Sequence, residues 1–136
     1  VLYRAGTSDI GPNNMTPSTP VGEHAEIVST QPPSLGTFLT ADTADAEEMF
    51  GAAAFDGLSS EAVLAYGLVV AASRNNPFAL DMVGQIRIGQ TDYELPEIPV
   101  DISPKVTMVL VEKNPATGLP FTPLEANSTG FGLKVK

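Results

Sequence analysis

Val83-Gly84-Gln85-Ile86-Arg87-Ile88, then Gly89-Gln90-Thr91-Asp92, then Tyr93-Glu94-Leu95: this stretch decides what kind of fold the chain builds. Apolar and polar residues alternate on both sides of a polar, glycine-containing turn, the pattern of a β-hairpin with one buried face. Downstream, Val106-Thr107-Met108-Val109-Leu110-Val111 is the strongest strand in the chain, apolar enough for a sheet interior. Between them Ile98, Val100 and Ile102 alternate too, but Pro96, Pro99 and Pro104 confine that piece to an edge. Asn114-Pro115-Ala116-Thr117-Gly118 is a turn. A looser tail follows, and Phe131-Gly132-Leu133-Lys134-Val135 is expected to close as a last strand.

Upstream of the hairpin the chain is alanine-rich. Ala41-Asp42-Thr43-Ala44-Asp45-Ala46-Glu47-Glu48-Met49-Phe50 combines strong helix formers with acids placed early, and predicts a helix that stops by Asp56-Gly57. A second helix is expected from Ser59 or Ser60, as N-cap, through Tyr66. The following Gly67-Leu68-Val69-Val70-Ala71-Ala72-Ser73 reads equally as more helix or as a buried strand, since short apolar runs carry no decisive period. Asn75-Asn76-Pro77 ends it in either case.

Residues 1–34 read differently. Pro12, Pro17, Pro20, Pro32 and Pro33 alternate with Gly6, Gly11 and Gly22, and the only apolar runs are Val1-Leu2-Tyr3 and Ala25-Glu26-Ile27-Val28. Each proline removes a donor and pushes its predecessor toward extended geometry. The segment therefore reads as an extended N-terminal arm ahead of a compact domain over 35–136. Ordering about 30 residues costs on the order of 30–60 kcal/mol of backbone entropy, so such an arm calls for a partner surface. Removing residues 1–30 is expected to leave the core folded and abolish assembly. The overall expectation is an α+β fold: a small, mainly antiparallel sheet with one or two short helices, preceded by the arm.

Composition bounds the chemistry. A chain of 136 residues fits one domain. The net charge of −9, with seven scattered basic residues, argues against nucleic-acid binding. With no cysteine there is no thiolate nucleophile, disulfide or zinc-thiolate site. The longest apolar stretch, Ala62 to Ala72, is too short to cross a bilayer. Only 17% of residues are charged, a surface better suited to being partly covered by other subunits.

Candidate sites weigh against catalysis. His24, the single histidine, has no nucleophile in a recognisable frame and reads as a surface residue. Asp42, Asp45, Glu47, Glu48 and Asp56 lack the ligand spacing of a calcium loop and read as a solvated helix start. No glycine pattern makes a phosphate loop. No catalytic, metal or cofactor residue is assigned; an enzyme would need distant carboxylates such as Asp81, Asp92 and Glu94 to converge. Phe50, Phe55, Tyr66 and Phe78 read as core aromatics. Candidate subunit contacts are Val1, Leu2, Tyr3, Ile27 and Val28 in the arm, able to add a strand to a neighbour's sheet edge. Arg87 joins them, as a mid-strand charge expected to face solvent or a neighbour.

The order of segments carries one resemblance. A proline- and glycine-rich arm leads into Ala65-Tyr66-Gly67-Leu68-Val69-Val70-Ala71-Ala72, and then into the short basic strand Gly84-Gln85-Ile86-Arg87-Ile88. Over residues 1–90 this is similar to the capsid-decoration proteins of tailed bacteriophages. Those are small, cysteine-poor proteins that trimerise on a capsid and reinforce it, partly through N-terminal arms. The chain departs from them at 41–55 and after Val106, and no residue's role is carried over. The resemblance implies a virion structural protein, a homo-oligomer whose partners are its own copies and a capsid or other assembly protein. The alternative is a non-catalytic accessory or binding module of a larger complex.

Overall fold

The alternation at residues 83–95 does form a hairpin, in a computed structural model that describes residues 2, 4–29, 36–75 and 81–136. In chain order the strands are β1 (Ser8–Asn13), β2 (Thr16–Pro17), β3 (Leu39–Thr40), β4 (Glu47–Gly51), β5 (Tyr66–Ala72), β6 (Met82–Ile88), β7 (Thr91–Ile98), β8 (Lys105–Val111) and β9 (Gly130–Val135). A 3-10 turn, His24–Glu26, follows β2, and the helix α1 (Pro123–Ser128) precedes β9. Among the described residues α1 is the only α-helix, so the fold is a mainly antiparallel β domain with one short helix.

Five strands form the main sheet in the order β1-β4-β9-β6-β7, every neighbour antiparallel. The last strand, β9, lies at its centre. There the backbones of β4 and β9 approach so closely that a Cβ on Gly132 would stand 1.9 Å from the carbonyl oxygen of Glu48. On the β6–β7 hairpin the register slips between Val83 and Gln85, which pair with Glu97 and Glu94. The extra residue on β7, at Leu95-Pro96, is a bulge. It reverses the side-chain alternation, so that Leu95 and Ile98, three positions apart, both reach the core. Pro96 is tolerated because β7 is an edge strand.

A second layer is the two-stranded ribbon β5–β8, paired from Tyr66↔Val111 to Ala72↔Lys105. Its inner residues Tyr66, Leu68, Val70 and Val109 pack on Ile86, Leu95 and Ile98 of the sheet, with Phe121 and Ala126 completing the core. Burying each such side chain contributes about 1.5–3 kcal/mol. Gly84 lets the layers meet: a Cβ there would fall 2.7 Å from Leu68 Cδ2.

The segment read as an arm enters the same architecture. β1 is the outer strand beside β4, and Met15, Ala25 and Ile27 are buried. Both carboxylate oxygens of Asp9 accept backbone N–H groups of the 3-10 turn, from His24 at 2.8 Å and Ala25 at 2.7 Å. Met15, Ala25 and Ile27 thus anchor the segment by apolar burial, and the part-buried Asp9 adds polar anchors.

Three expectations are corrected. The helix over 41–50 does not form: Asp45 has φ 65°, and Glu47–Gly51 becomes a strand between β1 and β9. Pairing on both edges overrides the local preference of Ala and Glu for helix. No helix follows Ser59 either; the N–H groups of Ser59 and Ser60 donate to the Glu61 carboxylate in a loop, and the strand alternative holds from Tyr66 to Ala72. The tail contains α1, whose signature was present: Thr122 and Glu125 form a reciprocal capping box around Pro123. The turn around Asn76-Pro77 and the core assignment of Phe78 lie outside the described residues.

Candidate interaction surface

β8 is apolar on both of its faces, as a strand buried on both sides should be. The fold buries only one. Val109 is covered by the core, while Val106, Met108 and Leu110 are 63%, 59% and 58% exposed. Val69 and Ala71 of β5 stand beside them in register, Val69 opposite Met108 and Ala71 opposite Val106. Gly67 is roofed by its cross-strand neighbours, with Met108 Sδ and Leu110 Cδ2 at 3.3 and 3.4 Å from where its Cβ would be. The outcome is an uncharged apolar strip along the outer side of the ribbon. Among the described residues β5 and β8 pair only with each other, so the strip is flanked by two unpaired strand edges. β8 was expected in a sheet interior, and its composition fits that place. Its position as half of a ribbon is what leaves the strip bare.

The sequence-predicted contact residues are placed otherwise. Val1 and Tyr3 lie outside the described residues, and Leu2 is 48% exposed. Ile27 is buried within its own chain and Val28 packs beside Gly6, so neither presents the strand edge expected of it. Arg87 is engaged within its own chain and only part-exposed. Its guanidinium forks onto Asp92 across the hairpin, Nε to Oδ1 at 2.6 Å and Nη2 to Oδ2 at 2.7 Å, which raises its pKa further. Asp92 is thereby engaged, and Glu94 is held by Lys134 and Lys136. Asp81 lines an open cleft with Arg74, Glu97, Asp101 and Lys105, and that cleft includes neither Asp92 nor Glu94.

Two polar clusters that the sequence did not announce organise the first segment. His24 is not a free surface residue: Nδ1 lies 2.9 Å from Oε1 of Glu48, a side chain with no exposed surface. That carboxylate also accepts from the N–H of Met15 at 2.6 Å and Nδ2 of Asn13 at 2.8 Å. Arg4 spans the chain: Nη1 donates to the carbonyl of Asn127 at 3.0 Å, and Nη2 to the Tyr66 hydroxyl at 2.8 Å and to the Thr129 carbonyl. Its guanidinium carbon sits 4.6 Å from the Phe55 ring centre, a cation–π contact. The aromatic expectation holds for Phe50 and Tyr66, which are buried, and Phe55 packs edge-on to Tyr66.

Among the described residues no group of three His, Cys, Asp or Glu side chains is placed to hold a metal ion, and no helix is long and apolar enough to cross a membrane. Comparison with protein-family models, curated proteins and solved structures finds no match for the chain.

Proposed function

We propose that this chain is a structural subunit of an ordered assembly, associating with copies of itself, in the manner of a protein that decorates or stabilises a virus capsid. The observation that carries the reading is the outer strip of the β5–β8 ribbon: a strand composed for burial on both faces and covered on one. The occupant best suited to it is a second copy. The chain carries sixteen acidic and seven basic residues, so copies meeting at most surfaces repel, whereas this strip is uncharged. A two-stranded ribbon is also the least self-sufficient sheet, and a neighbour that covers or extends it supplies what the chain lacks. Covering three half-exposed side chains contributes on the order of 3–5 kcal/mol per copy, enough to matter against the cost of association. The virion as the setting rests on the order of segments in the sequence, the arm first, then the Ala65–Ala72 run and the basic strand.

Light scattering of the purified chain tests the reading against the Met108→Lys, Leu110→Lys double variant. The native chain is expected as a defined oligomer, and the variant as a folded monomer with an unchanged circular-dichroism spectrum. A native chain that stays monomeric at every concentration overturns the proposal. So does a double variant that assembles as well as the native chain.

A further inference from the structure

We infer that two copies join edge to edge through β8, antiparallel and in register about Met108, so that two ribbons become one four-stranded sheet. The inference rests on the reading of the outer strip as a contact between copies, and adds the partner edge and its register. Edge pairing sets Val106, Met108 and Leu110 beside their counterparts and leaves the outer face of the joined sheet to the further contacts of the assembly.

The choice of edge follows from side-chain size. The outer residues of β5 are Gly67, Val69 and Ala71, two of them with little to offer a neighbour. Those of β8 are Val106, Met108 and Leu110, large and more than half exposed. Among the described residues β8 spends its backbone pairing on β5 alone, leaving its far side able to template another strand.

The register follows from symmetry and charge. A twofold axis perpendicular to the sheet keeps each residue on its own face, so outer residues must oppose outer residues. The axis therefore passes through a residue of β8, outer or inner. Centred on Thr107, Leu110 would face Pro104, and centred on Val109, Val106 would face the exposed Glu112. Centred on Met108, Val106 opposes Leu110 of the other copy, Met108 opposes Met108, and Thr107 opposes Val109. The exposed Glu112 falls opposite Pro104, far from its own counterpart. Centred on Leu110, Met108 would face Glu112 and Val106 would face the buried Asn114. Centred on Val106, Met108 would face Pro104, which has no N–H to donate. Only the register centred on Met108 sets Val106, Met108 and Leu110 entirely against one another.

The absence of native cysteine makes disulfide trapping a clean test. Directly opposed positions on antiparallel strands meet disulfide geometry, whereas Leu110 and its counterpart would be about 13 Å apart in this register. Under mild oxidation Met108→Cys is expected to form a covalent dimer at least tenfold faster than Ser60→Cys, an exposed control. Val106→Cys and Leu110→Cys are expected to cross-link when mixed, and not when oxidised separately. An oligomer in which Leu110→Cys traps with itself, or in which Met108→Cys traps no faster than the control, overturns the register while the assembly reading stands. A native chain that is monomeric throughout overturns both.

Discussion

Nδ1 of His24 lies 2.9 Å from Oε1 of Glu48, and Glu48 has no exposed surface. An isolated carboxylate in that position is prohibitively costly, so its partners are part of the fold. All three come from residues 13–24: the Asn13 amide, the Met15 N–H and the His24 ring. Leaving a buried acceptor short of one of its donors costs about 1–3 kcal/mol, more when the acceptor is charged. His24→Ala is expected to destabilise by an amount in that range, and Glu48→Ala, which leaves two further donors unmatched, by at least as much. Urea unfolding with matched m-values measures both. A loss within about 0.5 kcal/mol, the range of an ordinary surface change, would show that the contact does not persist in solution.

Arg4 makes the same point from the chain's start. It joins a segment expected to reach outward to the carbonyls of Asn127 and Thr129 and the hydroxyl of Tyr66. Hydrogen bonds to a charged group contribute about 1.5–3 kcal/mol, and Arg4→Ala is expected to lose that much. Arg4→Lys should recover only part, because a point charge cannot satisfy three acceptors and stack on Phe55. Removing residues 1–28 removes β1, Met15, Ile27 and the Asn13, Met15 and His24 partners of the Glu48 carboxylate together. The truncated chain is expected to lose cooperative unfolding altogether, the reverse of what the proline-rich composition suggests. Thermal unfolding followed by near-ultraviolet circular dichroism reads both outcomes.

How much of this was legible depended on the range of the cause. The β6–β7 hairpin, the turn at 114–118 and the strand at 131–135 are set by alternation and local turn chemistry, and all were readable. Glu47–Gly51 was not, because its strand state depends on β1 and β9, separated from it by dozens of residues on either side. His24 and Glu48 likewise meet only after that sheet forms; neither residue carries a local mark of the contact. For α1 the mark is local, Thr122 with Glu125 around Pro123, but only six residues long and set among stronger β signals. For the outer strip, the apolar run Val106–Val111 suggests a strand covered on both faces, and the fold covers one. What the sequence does not show is that β8 pairs with β5 alone among the described residues, so that its outer face stays bare.

Stability should fall in acid in a way that Glu94 helps to set. The Lys136 ammonium, and more weakly Lys134, hold its carboxyl below the ordinary range. A depressed folded-state pKa means that the unfolded chain binds the proton more readily. The contribution is therefore complete above about pH 4.3 and is lost as the pH falls through the lower folded value. Asp101, held down by Lys105, and Glu125, held down by the Thr122 N–H, act in the same direction. Because Glu94 is well exposed, Glu94→Gln is expected to shift the acid limb slightly, flattening the pH dependence of the urea midpoint below pH 4.3. An acid limb steeper in the variant would contradict the assignment.

Salt distinguishes an apolar contact between like-charged copies from one built on ion pairs. Each copy carries a net charge of −9, so bringing two together works against long-range repulsion, while Val106, Met108 and Leu110 contribute no charge at the contact itself. Raising the ionic strength from about 0.05 to about 0.5 M shortens the screening length to a few ångströms and leaves the apolar term intact or slightly stronger. Association is therefore expected to tighten with salt, with the dissociation constant falling severalfold in sedimentation equilibrium. Lys105, at the end of β8, is paired within the chain with Asp101 at 2.8 Å. An interface weakened by salt would place the contact on charged residues elsewhere and remove the ribbon strip from it.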